Sequence, residues 1–202
     1  MKWRVLFMWL ILLHFSMKGY SQRLSPDYWH FGSIVSKNSD TIRGLVKYDF
    51  TSDLIQFDRA GIIKVFTPAQ LNYCEFTDSL SGRLRKIVSH NFETSPGYSK
   101  PLFFELLVSG KLTLLCRELV VLRSNGNMGS QGFNNSYRDI SFSFFYLRNQ
   151  EVSYFYNKKK RVLSLFGQDK NTVAEFAKKN RYRFYSQYDL THLFQFYNSL
   201  YD

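Results

Sequence analysis

Residues 29–66 read WHFGSIVSKNSDTIRGLVKYDFTSDLIQFDRAGIIKVF, and this stretch decides the fold class. Residues 29–36 are rich in aromatic and β-branched side chains, which suit a pleated, half-buried surface. Lys37-Asn38-Ser39-Asp40 is a polar turn. Residues 41–49 then alternate, with Ile42, Leu45, Val46 and Tyr48 interleaved with Arg43 and Lys47. Two further apolar pieces, 53–57 and 62–66, flank the turn Asp58-Arg59-Ala60-Gly61. Each piece is too short for an amphipathic helix. Strands recurring about every 8–12 residues predict a small barrel or a curled antiparallel sheet.

The pattern continues outward from there. Thr67-Pro68-Ala69-Gln70-Leu71 reads as one helical turn with Thr67 as its cap, and 73–76 and 83–92 as further strands. Residues 102–108 and 111–122 flank Ser109-Gly110, a hairpin signal. Residues 124–138 are dominated by Ser, Gly and Asn and are expected to form a mobile loop. A second hairpin, 140–147 with 152–156, turns around Arg148-Asn149-Gln150-Glu151, and 161–166 adds a strand. The end changes period. Asp169 or Asn171 caps a helix through about Asn180, with Val173, Phe176 and Ala177 on one face. Ser186 and Asp189 open a last helix whose Leu190, Leu193, Phe194, Tyr197 and Tyr201 fall on one stripe. The expected fold is mainly β (α+β): a twisted antiparallel sheet, or a partly open small barrel, with two C-terminal helices packed on it.

The opening reads as an address. Lys2 and Arg4 precede a 13-residue, mostly apolar run, 5–17, and Gly19-Tyr20-Ser21 sets small residues for cleavage after Ser21. A bilayer-spanning helix needs about 20 apolar residues, so the expectation is a signal peptide, 1–21. One β-rich domain, 22–202, with a helical C-terminus, 168–202, follows, without a membrane span. Removing the leader leaves 24 basic against 16 acidic residues, a net of +8. Such a balance favours polyanions. An exported protein rarely meets nucleic acid, so an anionic envelope surface is the favoured partner of this kind.

Few motifs carry chemistry. His30, His90 and His192 have no H-E-x-x-H context and no ligand spacing, and read as partly exposed histidines. Nucleophile elbow, phosphate loop and dinucleotide fingerprint are all lacking. Asp49, Asp53 and Asp58 border turns, where Asp is common for structural reasons. No catalytic residue, metal ligand or cofactor is therefore named. Cys74 and Cys116 fall in strands. An oxidising compartment permits a disulfide between them, and each also reads as a small buried apolar residue.

The remaining site is electrostatic. Lys158, Lys159, Lys160 and Arg161 follow Tyr154, Phe155 and Tyr156, and Lys178, Lys179, Arg181 and Arg183 interleave with Tyr182, Phe184 and Tyr185. Interleaved cations and rings can grip single strands or sit on an anionic membrane face. The plainer alternative is rings inward and solvated cations outward.

Several stretches also resemble a family. Phe31-Gly32-Ser33-Ile34-Val35, the turn ending Asp40-Thr41-Ile42, and Gly44-Leu45-Val46-Lys47-Tyr48-Asp49 resemble a pattern of uncharacterised exported proteins of Bacteroidota, G-x-I-x-L-x-x-G-D-x-I-x-G-x-I-x-Y-D. Residues 66–71, 103–114 and the tail from Asp189-Leu190 to Ser199-Leu200 fit in the same order. Ser39-Asp40 stands where the pattern has Gly-Asp. The resemblance implies export and lineage, and no activity.

The functional expectation is an exported, periplasmic or surface-associated, non-enzymatic protein that binds an envelope component or a partner protein. Two alternatives stand beside it: a polysaccharide hydrolase using dispersed carboxylates, and a weak polyanion or nucleic-acid binder.

Overall fold

A computed structural model describes residues 28–124 and 136–201. The expected leader, 1–21, lies outside them. The described chain is mainly β. Ten antiparallel strands form one open sheet: β1 (His30–Ser36), β2 (Thr41–Asp49), β3 (Leu54–Arg59), β4 (Ile62–Phe66), β5 (Leu71–Thr77), β6 (Leu84–Ser95), β7 (Tyr98–Val108), β8 (Thr113–Ser124), β9 (Ser136–Arg148) and β10 (Glu151–Tyr154). Three helices follow: α1 (Lys159–Ser164), α2 (Lys170–Lys179) and α3 (Gln187–Ser199). The last two pack at the C-terminus as the hydrophobic stripe predicts.

The strand order is β10-β9-β8-β7-β6-β5-β1-β2-β3-β4. This order forces a curl. The chain leaves edge strand β4 at Phe66 and enters β5, four strands away, at Leu71. Four flat spacings are about 19 Å, and five residue steps reach at most about 17 Å. The connection also turns back on itself, since Gln70 N donates to the Thr67 carbonyl. The sheet bends until the gap closes, and the Tyr48 ring of β2 then meets Phe103 of β7 at 6.0 Å. Gly32 and Gly44 face each other across β1 and β2 inside this bend. A Cβ at either would lie 2.3 Å from the Glu75 carbonyl or 2.4 Å from that of Asp58, so only glycine fits.

Beyond β6 the bend reverses. Phe92 of β6 contacts Phe145 of β9 at 5.3 Å on the opposite face, enclosing Phe104, Leu115 and Val152. The first bend encloses Ile34, Val46, Ile55, Phe57, Cys74 and Ile87. A third core lies where the helices cover β8 and β9: Leu112, Leu114, Cys116 and Phe144 meet Val162, Phe166, Val173, Leu190, Leu193 and Phe194. Burying each large aliphatic or aromatic side chain there contributes about 1.5–3 kcal/mol.

Asn198 pins α3 to the β7–β8 turn. Its Oδ1 accepts from Leu112 N at 3.0 Å, and its Nδ2 donates to the Leu112 carbonyl at 3.1 Å. Gly110 makes room, because a Cβ there would lie 2.3 Å from Asn198 Nδ2.

Three expectations change, and of the two readings of Cys74 and Cys116 the buried, unbonded one holds. Residues 161–164 belong to α1, with Val162 buried in it and Phe166 buried in the turn just beyond. Short apolar runs satisfy both periods, and here the helical one wins. Of the loop expected over 124–138, Ser124 instead ends β8 and Ser136 to Arg138 open β9, while residues 125–135 lie outside the described residues. His30 is buried rather than partly exposed, stacked on Phe76 at 5.0 Å with its Nδ1 accepting from Ser79 N at 3.0 Å. Cys74 and Cys116 are both free. The register runs Cys74, Ile87, Glu105, Cys116 across β5 to β8, three strand spacings or roughly 14 Å, twice the reach of a disulfide. Both thiols are buried, and burial pushes both up, away from the reactive thiolate.

Candidate functional site: the basic face of the helical layer

The two basic runs are far apart in sequence and meet in space. Lys158 stands at the N-cap of α1, and Lys159, Lys160 and Arg161 form its first turn. Lys178 and Lys179 end α2, and Arg181 and Arg183 follow in the link to α3. Lys159 Nζ lies 6.0 Å from the Phe184 ring centroid, which joins one run to the other. All eight cations are exposed.

Local structure explains their outward direction. Exposure alternates along the turns between α2 and α3: Arg181, Arg183 and Tyr185 are exposed, and Tyr182 and Phe184 are half-buried between them. Tyr182 packs on Phe176, and Tyr182 N donates to the Ala177 carbonyl, closing the end of α2. Asp189 accepts from Arg183 N at 2.7 Å, and Ser186 caps α3 by accepting from Asp189 N. Rings anchor the segment and cations leave it, so the inward-ring alternative describes its packing. Arg183 also donates to the Tyr185 hydroxyl at 2.8 Å. Tyr156, Tyr185 and Tyr188 remain exposed large rings of this layer.

The charge is lopsided. Residues 157–202 hold nine basic and four acidic side chains, so the helical end carries +5 of the +8 of residues 22–202. Lys178 and Lys179 sit at the C-terminal end of α2, where the helix dipole favours cations.

A second polar cluster was not anticipated from the sequence. Arg85 of β6 is 4% exposed and donates through Nη2 to Glu105 of β7 at 2.7 Å and to Glu118 of β8 at 3.0 Å. Arg83 binds the other oxygen of Glu105 at 2.7 Å, and Asp78 lies 3.9 Å from Arg85 Nη1. Among the described residues, Arg85 Nε and Glu118 Oε2 have no hydrogen-bond partner. Burial pushes the Glu118 carboxyl above its ordinary value, against the pull of Arg85. The sequence does carry a signal: Glu105 is a lone charge inside LFFELLV, and Arg85 shares parity with buried Ile87.

The cluster sits where β7 and β8 part. Their pairing stops at Glu105 and Cys116. Beyond that point Arg117 donates to the Phe103 carbonyl at 2.5 Å and to Asp53 at 3.0 Å, while Phe103 N donates to Asp53 at 3.4 Å. Asp53 and Arg117 thus stand in for a missing ladder rung. Asp49 and Asp58 cap turns through Thr51 N and Gly61 N. Neither Glu105 nor Glu118 lines any of the three surface hollows described for the molecule. Their contacts are those of a core ion cluster.

Among the described residues no group of three or more His, Cys, Asp or Glu side chains is placed to hold a metal ion, and no helix is long and apolar enough to cross a membrane. Comparison with known proteins finds no matching family model, curated protein or solved structure.

Proposed function

We propose that this is an exported, non-enzymatic protein that attaches to an anionic component of the cell envelope through the basic face of its helical layer. One observation carries the reading: two cationic runs separated in sequence meet at Lys159 and Phe184, on a layer holding most of the net charge. Lysine ammonium groups and the forked arginine guanidinium both bind phosphate and carboxylate groups, and exposed tyrosines suit a surface that is polar outside and apolar beneath. The resemblance to exported proteins of Bacteroidota and the leader-like opening of residues 1–21 support the envelope as the place of action.

The test is co-sedimentation of the purified protein with vesicles at physiological salt. The reading expects binding to vesicles rich in anionic phospholipid, little binding to zwitterionic ones, and loss when Lys158, Lys159, Lys160 and Arg161 are all changed to Gln. Equal binding by that variant would overturn it. Intact mass of the protein recovered from its own host checks export separately. The expected chain starts at Gln22, and a full-length cytosolic chain contradicts the compartment.

A further inference from the structure

Away from the eight cations, the tips of two hairpins lie side by side. The β6–β7 tip and the β9–β10 turn enclose a hollow of about 760 Å³, and a second hollow of about 640 Å³ continues from it toward Lys37. Asn91 and Gln150 line both, so the two are contiguous. Each falls in the size range of small-ligand sites.

We propose that these hollows form one cleft that binds an oligosaccharide, with Gln150 at its centre. The chemistry of the lining selects this class. Asn91, Asn149 and Gln150 each present an exposed carboxamide to the hollow. A carboxamide presents a donor and an acceptor at fixed spacing, which matches two neighbouring sugar hydroxyls. Ser99 and Ser153 add hydroxyls, and Tyr154 adds a ring, half held by Phe145, against which the C–H face of a sugar can stack. Glu93 and Glu151 line the first hollow and repel a polyanion, so this cleft and the basic face address different ligands. Lys37 and His90 line the second hollow and suit an acidic substituent at that end.

The backbone supplies an independent reason. Asn149 and Gln150 form a two-residue hairpin loop between Arg148 and Glu151, with φ of 51° and 67°. Both central residues of such a turn lie in the left-handed region, where Asn is tolerated and Gly is the usual second residue. Gln has neither glycine's freedom nor asparagine's local hydrogen bonding. The turn sets the positive φ, and a glutamine where glycine would fit it better places a long carboxamide at the junction of the two hollows.

The test is titration of the ¹⁵N-labelled protein with three probes: oligomers of N-acetylglucosamine, of glucose and of glucuronate. At least one series is expected to shift the side-chain amide signals of Asn91, Asn149 and Gln150 saturably. Gln150→Gly should weaken that binding about tenfold or more while raising the melting temperature, because the turn relaxes. Asn91→Ala should weaken binding without that rise. The variant lacking the four cations at 158–161 should bind the same oligosaccharide normally. Absence of saturable shifts with all three series, or unchanged binding by Gln150→Gly, overturns the proposal. Loss of binding in the four-cation variant also overturns it, by moving the glycan to the basic face.

Discussion

The first bend and the helix-covered core are held in different ways. The helix-covered core is anchored by an amide: Asn198 satisfies both backbone groups of Leu112, and apolar side chains fill the rest. The first bend ends at an ion cluster, where one guanidinium holds two carboxylates and two polar atoms have no partner among the described residues. A buried amide pair tolerates its surroundings at any pH. A buried ion cluster depends on the charge state of every member, and gives little net stability over a well-packed apolar replacement. The β7–β8 fork is thus the charge-dependent joint of the molecule, and the helical layer its fixed platform.

The strongest challenge to that contrast is Arg85→Leu. It strands Glu105 and Glu118 in the core and should destabilise the protein by about 3–5 kcal/mol, read by denaturant unfolding. Replacing Arg85, Glu105 and Glu118 together with apolar residues should restore most of the loss. A triple variant as unstable as the single one would mean the charges hold the fork specifically.

Asn198→Leu attacks the platform instead. It leaves Leu112 N–H and C=O buried without partners and should lower stability by about 2–4 kcal/mol, with hydrogen exchange rising first in α3. An effect confined to the first bend would break the comparison.

Glu118→Gln sharpens it through pH. The folded-state pKa of Glu118 is raised above its ordinary value of 4.5. A raised carboxyl favours the folded state below the unfolded value, and that contribution is lost as pH rises through the folded one. The stability difference between variant and native chain should therefore move toward the variant as pH increases from about 4.5 to neutrality. A flat difference would remove Glu118 from the account. The smallest stability effect belongs to the four exposed cations: changing Lys158, Lys159, Lys160 and Arg161 to Gln should alter unfolding by no more than about 0.5 kcal/mol, measured by the same melts.

Much of this was legible locally. Alternation in residues 41–49 and the turn at Asp58 to Gly61 follow from side-chain period and turn chemistry, and they match β2, β3 and β4. The stripe from Leu190 to Tyr197 marked α3 because four buried residues share one helical face. What failed was non-local. Nothing in the chain announces that β1 lies between β2 and β5, and the register that sets Arg85, Glu105 and Glu118 side by side on the successive strands β6, β7 and β8 is not legible from strands read singly. Residues 161–166 failed for a local reason, since Val162, Leu163 and Leu165 fit either period and helix packing decided. The eight cations were legible as runs. Their union through Lys159 and Phe184 needed the fold.

Hydrogen exchange of the protein bound to anionic vesicles tests the central claim most directly, because it reports which surface is covered. The account predicts slowed exchange confined to α1 and to residues 178–185, with the β-sheet unchanged. Slowing centred instead on the exposed edge strand β4, around Ile62, Ile63 and Val65, would contradict it.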